Sequence, residues 1–442
     1  MFDWSVDLWT IAVGIVCNAC CAVLGCYLVL RRMSLLGDAV SHSILAGIAG
    51  AFLLTGSIGP LPMFVGALAA GLLTAFLTQS LTNIGKIPED SSMGVVFTSL
   101  FAVGVILISS PALRKSHLDD CMLVGLLDVV SLDTEWIGGW KIPRTLLSLV
   151  PMLAVILLFV TVFWKELKIS SFDPELATSM GINAALMHYL LMGMVASTTV
   201  ASMQAVGVVL VIAMLIVPAA TAHLLTDRLG WMIALAVLAG TTSAIFGCLW
   251  ARWANSNAAG MMAVVAGLQF ALAVVLAPRY GLVSKAVHNL RLAFRIVCED
   301  IVATLYRWEE SAGRQNPGFS ENPGFCAATS ADCIRAAGGG FLARLAVPLL
   351  RRRGELTQLA DGTLALSAQG RRLGESLVRS HRLWESYLDQ YFDLPADHLH
   401  EPAEQIEHFI GPELQSRLAD SLKSPATDPH GRSIPPVMPS ND

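Results

Sequence analysis

The stretch "GDAVSHSILAG", residues 37–47, places a carboxylate, Asp38, and an imidazole, His42, four residues apart within an otherwise apolar run. On a helix that spacing puts both groups on one face. If the helix crosses a bilayer, each ionisable group costs several kcal/mol unless it is paired or faces a polar cavity. Spacing alone leaves two readings open: an Asp–His hydrogen bond that locks two helices together, or half of a cation site. A carboxylate with an imidazole suits Mn²⁺, Zn²⁺ or Fe²⁺.

The surrounding sequence decides that the stretch belongs to a membrane. Of 442 residues, 54% are hydrophobic and 14% charged, with a mean hydropathy of +0.61. Soluble domains carry about 25% charged residues. Residues 1–284 are almost entirely apolar runs, whereas 299–442 are charged and polar. Segments of roughly 20 apolar residues can cross a bilayer as helices. About nine occur, near 10–30, 35–55, 59–81, 93–112, 144–164, 183–203, 206–225, 230–252 and 258–277. The expected fold is mostly α: a polytopic helical bundle over 1–285, a linker over 286–298, and a soluble domain from residue 299.

Basic residues of short loops orient the bundle. Arg31 and Arg32, Lys165 and Lys168, Arg228 and Arg279 fall on one side, which places the N-terminus outside and the soluble C-terminus in the cytoplasm. Arg114 and Lys115 fall on the other side, in a long loop where the rule is weak. The start, "MFDWSVDLW", lacks the basic region of a cleaved signal, so the first span is expected to stay. Cys17, Cys20, Cys21 and Cys26, four of the nine cysteines, sit in that span and read as reduced packing residues. "HLDD" (His117, Asp119, Asp120), in an outward loop, could receive a cation, although a solvated acidic loop is the simpler reading and is preferred.

In the soluble part, "CEDIVATLYRWEES" has helical spacing, "FLARLAVPLLRRRG" reads as a helix, "GELTQLADGTLALSAQG" as a hairpin, and 371–392 as a long helix. Helix, helix, hairpin, helix is a winged-helix order, expected over 299–380 in degenerate form. Arginines crowd 335–382, and acids dominate 383–420. The basic half could meet DNA phosphates. However, "AGGGFLARLAVPLLRRRG" lacks a polar recognition face, and its glycines and Pro348 disfavour a regular helix. In the acidic half, Glu404 with Glu407 and His408 has i, i+3, i+4 spacing, His381 and Glu385 form an i, i+4 pair, and His400 lies just upstream of Glu404. The Pro- and Ser-rich tail from Ser424 to residue 442 is expected to be loose.

"RRMSLLGDAVSHSILAGIAGAFLLTG" strongly resembles the second-helix signature of the permeases of manganese, zinc and iron ABC importers. "SSMGVVFTSLFAVGVIL", "FDPELATSMGI", "VGVVLVIAMLIVPAATAHLLTDRL" and "LAPRYGL" continue the likeness over 10–285. The resemblance implies a multi-pass protein of the bacterial plasma membrane in which Asp38 and His42 line the metal path. It implies a homodimer of permeases within membrane lipid, with cytoplasmic ATPases and an extracytoplasmic metal-binding protein. The segment Phe172, Asp173, Pro174, Glu175, Leu176, Ala177 and Gly181 would dock on the ATPase. No GxxxxGK[ST] loop occurs, so the chain itself is expected to hydrolyse no ATP.

Residues 295–435, most strongly the second half with the closing "TDPHGRSIP", resemble the iron- and manganese-dependent repressors of the diphtheria toxin repressor family. Residues 381–423 match that family's metal-binding and dimerisation domain, and "EDIVATLYRWEE" resembles its first helix. That likeness assigns Glu404, Glu407 and His408 to one metal cluster and His381, Glu385 and His400 to its neighbour. Asp300 lands on a manganese-ligand position, while Ala303 stands where manganese sensors carry a second carboxylate. A carboxylate at Glu404 where iron sensors use cysteine favours Mn²⁺ as substrate and regulatory ligand, with Zn²⁺ or Fe²⁺ as alternatives. The combined expectation is a metal importer permease with a cytoplasmic sensing domain. The alternative is a membrane-tethered, metal-dependent transcriptional regulator.

Overall fold

The computed structural model describes residues 4–33, 35–56, 60–109, 127, 130, 133–137, 140–315, 328–392, 395 and 398–436. Arg114, Lys115, His117, Asp119 and Asp120 lie outside the described residues, as do 316–327 and 437–442. The chain divides into two units, Met1–Lys285 and Ala286–Asp442.

The first helix of the first unit, Trp4–Leu30, is apolar around its whole circumference, and such a helix belongs in a core. It packs against the helices Arg144–Val162, Ala184–Val206, Val208–Leu225 and Leu229–Ala254. Its cysteines Cys17, Cys20, Cys21 and Cys26 are free and buried, acting as small hydrophobic residues. Among the described residues, eight helices are long and apolar enough to cross a membrane. The expected span at 206–225 is the apolar helix Val208–Leu225, of 18 residues. Gly207, with φ +81° and ψ 162°, breaks the helical run between Val206 and Val208 at a conformation that favours glycine.

The helix Leu36–Thr55 carries Asp38 and His42 and packs against Pro60–Gly85 and Glu89–Ile108. Small residues let these backbones touch. A Cβ added to Gly47 would stand 2.2 Å from the Gly66 carbonyl oxygen, and one on Gly104 would stand 2.8 Å from the Ala46 nitrogen. Close approach through small residues is how helices associate where lipid supplies no hydrophobic drive.

In the second unit, the stretch 286–298, expected as a linker, is helical. It is part of one helix, Leu282–Gln315. Phe294, Val297, Cys298, Ile301, Val302 and Leu305 recur every three or four residues and face the unit's core, and that periodicity keeps the helix continuous. The helices Ser330–Ala336 and Phe341–Arg352 follow. Pro348 is accommodated inside the second of these. Next come the antiparallel strands Leu356–Gln358 and Leu364–Leu366, with Leu356 opposite Leu366, and the helix Ala368–Tyr391. A short helix, His400–Ile406, gives way to a 3₁₀ turn, Glu407–Phe409, and then to the helix Pro412–Ser421.

The tail expected to be loose is tied down as far as 436. Thr427 and Ser433 form an antiparallel bridge. The Asp428 carboxylate accepts from the backbone nitrogens of His430 and Arg432, at 3.0 and 2.7 Å. Arg382 donates to the Ser433 carbonyl at 2.6 Å, and Arg379 donates to that of Pro435. Buried arginines that need acceptors hold this segment down despite its prolines.

Candidate metal sites

Within the first unit, His42 Nε2 lies 3.3 Å from Asp38 Oδ1, with the two side chains 40% and 37% exposed. The pair therefore faces outward from its helix packing. Phe97 and Phe101, one turn apart on Glu89–Ile108, hold the imidazole. Their ring centroids lie 5.8 and 5.6 Å from that of His42, one stacked and one edge-on. The two rings restrict the imidazole and leave its carboxylate-facing nitrogen available. Sequence reasoning missed these aromatics, although their i, i+4 spacing matched that of Asp38 and His42.

At one end of the bundle, Arg31 ties the first helix to the segment before "FDPELATSMGI". Its Nε donates to Ser171 Oγ at 3.1 Å, a terminal nitrogen donates to Ser170 Oγ at 2.9 Å, and His188 Nδ1 lies 3.4 Å from the other. Pro174–Ser179 is a short helix capped by the Asp173 carboxylate, which accepts from the nitrogens of Glu175 and Leu176. Ala177 is buried, whereas Phe172, Leu176 and Met180 are exposed. Gly181 closes the turn at φ +84°. The segment thus presents apolar side chains and Glu175 outward on a rigid turn.

In the second unit, His381, Glu385 and His400 bring one ligand atom each to a common point. His381 Nε2 lies 3.0 Å from Glu385 Oε1 and 2.9 Å from His400 Nδ1, which is itself 3.1 Å from Glu385 Oε1. One or two protons cannot satisfy three donor atoms so placed. Ligands at about 2.1 Å from one ion and at right angles lie about 3 Å apart, so the set fits a transition metal. Burial alone would raise the Glu385 carboxyl, but the His381 and His400 imidazoles bring it down to about 2. His430 approaches the same carboxylate, its Nε2 at 3.8 Å.

Asp300, Glu407 and His408 form a second such group. His408 Nε2 faces Asp300 Oδ1 at 3.1 Å, and its Nδ1 faces Glu299 Oε2 at 2.9 Å. Burial disfavours the imidazolium, yet Asp300 and Glu299 outweigh it and raise the His408 pKa to about 9. Glu299 thus orients the ring from behind, as carboxylates do for metal-ligating histidines. Arg307 pairs with Glu407 at 2.9 Å. The structure leaves Glu404 exposed and outside both groups. Its i, i+3 relation to Glu407 is that of a regular helix, but the helix tightens to a 3₁₀ turn at Glu407, which rotates the face. Glu299 and Arg307 were missed because their relation to His408 and Glu407 is about 100 residues distant in sequence.

Residues 5–277 match the ABC 3 transport family. The chain belongs to the ABC 3 transport family. Residues 367–436 of this permease also match the metal-binding and dimerisation domain of iron-dependent repressors. The ABC 3 chain is 46% identical over 290 residues to the manganese transport system membrane protein MntD of Bacillus subtilis (strain 168), covering 65% of this chain and 98% of that protein. It is 35% identical over 371 residues to the zinc transport system membrane protein TroD of Treponema pallidum (strain Nichols), covering 83% and 97%. That second match is longer than the first unit, so the likeness runs into the second. Among solved structures it resembles PsaBC from Streptococcus pneumoniae in complex with Fab, with a TM-score of 0.52 and 33% identity over 62% of this chain and 92% of that one. The permease is an integral membrane protein with a repressor-type metal-binding domain at its C-terminal end.

Proposed function

We propose that this permease is the membrane subunit of an ATP-driven importer of a divalent transition metal, with Mn²⁺ as its preferred substrate and a cytoplasmic domain that senses the same ion. The Asp38–His42 pair on an outward face of a spanning helix carries the reading. A second copy facing that surface would enclose a path lined by carboxylate, imidazole and the Phe97 and Phe101 rings. The relatives' substrates, manganese and zinc, agree with the chemistry of that pair.

The rigid turn with exposed Phe172, Leu176 and Met180 suits docking of a separate ATPase, and Arg31 would carry its movement to the first helix. An extracytoplasmic binding protein would deliver the ion. In the second unit, His381, Glu385 and His400 would hold one ion, and Asp300, Glu407 and His408 another. A bound ion in each set would supply the positive charge that lets these donors sit together. Two oxygen donors and one nitrogen in the second set favour Mn²⁺ over softer ions. Glu404, exposed and outside both sets, adds nothing to that preference.

The element order before residue 367 supports a degenerate winged helix. The family of the membrane unit favours transport over the reading as a tethered transcriptional regulator. Asp300 lies on the helix that begins at Leu282, so occupancy could bias the permease through that helix. The test is metal uptake against preloaded cytoplasmic metal. Wild type should slow as internal metal rises, and Glu407→Ala should not. Identical curves would remove the sensing role.

A further inference from the structure

The helix Phe341–Arg352 buries Ala343, Ala346, Val347 and Leu350 in the core of its own unit. Its opposite face is unusual. Phe341 is 74% exposed and Leu345 47% exposed, and Pro348 continues the stripe at helical spacing. Arg344, Arg351, Arg352 and Arg353 are exposed beside it, and no acidic residue occurs between 341 and 353. Arg351, Arg352, Pro348, Leu356 and Gln358 also line an open groove of about 450 Å³ against the hairpin.

We infer that this face docks on the anionic headgroup layer of the bilayer that holds the first unit. Three properties point to lipid. The stripe alternates apolar and guanidinium groups, the pattern of helices that lie in a membrane interface. Base-edge readers need hydrogen-bonding side chains on the presented face, and here Phe341, Leu345 and Pro348 occupy those positions. The second unit is also joined covalently to a membrane domain, so the surface is always present at high effective concentration. The anionic leaflet attracts each arginine near it by about 1 kcal/mol. The groove beside Arg351 and Arg352 can receive a headgroup phosphate, whereas Phe341 and Leu345 enter the acyl boundary.

The test uses the full chain in nanodiscs, with an environment-sensitive fluorophore attached through Leu345→Cys and doxyl-labelled lipid as quencher. Discs containing phosphatidylglycerol should quench the reporter several-fold, and discs of phosphatidylcholine alone should leave it bright. Arg351→Glu with Arg352→Glu should abolish quenching in the anionic discs. The milder Arg344→Gln should weaken it by about fivefold. All these sites are exposed, so the fold is not at stake. Equal, low quenching in both disc types would overturn the inference. So would displacement of the reporter from anionic discs by a duplex DNA oligonucleotide at physiological salt, which would assign the face to nucleic acid.

Discussion

Glu407 Oε2 lies 2.7 Å from His381 Nδ1, so a ligand atom's residue from one donor group touches the ring that serves the other. The contact is close but not aligned as a hydrogen bond, and His381 Nδ1 is otherwise without a partner. The two groups therefore share a wall, and the charge state of either acts on both.

From that contact, Glu407→Gln should weaken metal binding at both groups, although Glu407 belongs to only one. Coupling of this kind typically spans 5- to 150-fold (about 1–3 kcal/mol). Titration of the purified chain with Mn²⁺ against a competing chelator checks it. Two weakened steps are expected, and a single lost step beside an unchanged one would show the groups to be independent.

Glu404→Ala should leave that titration unchanged, because Glu404 is exposed and outside both groups. Repressor-like spacing alone expects the opposite result. Parallel titration of Glu404→Ala and Asp300→Ala decides between them, with Asp300→Ala expected to lose one ion.

The metal-free second unit should lose stability as pH rises. The His408 pKa, raised to about 9, stands above the ordinary value of about 6.5. Its ion pairs with Asp300 and Glu299 thus contribute fully below about pH 6.5 and are lost as pH passes through about 9. Glu385, lowered to about 2, stays ionised across this window and adds no slope. In chelator, protection against hydrogen exchange within 294–310 and 400–410, taken relative to the intrinsic rate at each pH, should fall between these limits. Added Mn²⁺ should reverse the trend, since its ligands bind deprotonated. A flat profile in chelator would contradict the assignment.

How far the sequence carried depended on the range of the interaction. The spans and the Asp38–His42 face were legible because both follow from local periodicity. The pairs His381–Glu385 and Glu407–His408 were legible for the same reason. Three features were not. The two helices on either side of Gly207 were legible as separate spans, but not the single positive-φ residue that joins them, because hydropathy carries no dihedral information. The 3₁₀ turn at Glu407 removes Glu404 from the group by a small change in residues per turn. Glu299 and Arg307 reach their partners only once the Leu282–Gln315 helix has packed against the 3₁₀ turn, which depends on tertiary structure.

Arg31→Gln should uncouple the transporter without unfolding it. Hydrogen bonds to charged groups contribute about 1.5–3 kcal/mol each, and Arg31 makes two to Ser170 and Ser171. Uptake should fall about tenfold or more, while the permease still inserts and still co-purifies with its ATPase. Normal uptake, or loss of insertion, would deny Arg31 a transmitting role.

Radiolabelled Mn²⁺ uptake into membrane vesicles tests whether Asp38 and His42 contact metal in transit. Vesicles carrying the complete transporter with Asp38→Asn or His42→Gln should take up Mn²⁺ at a few per cent of the wild-type rate or less, with permease level and ATPase association unchanged. Wild-type uptake in both variants would contradict the account, and loss of folded protein in place of transport would make the pair a structural lock between helices.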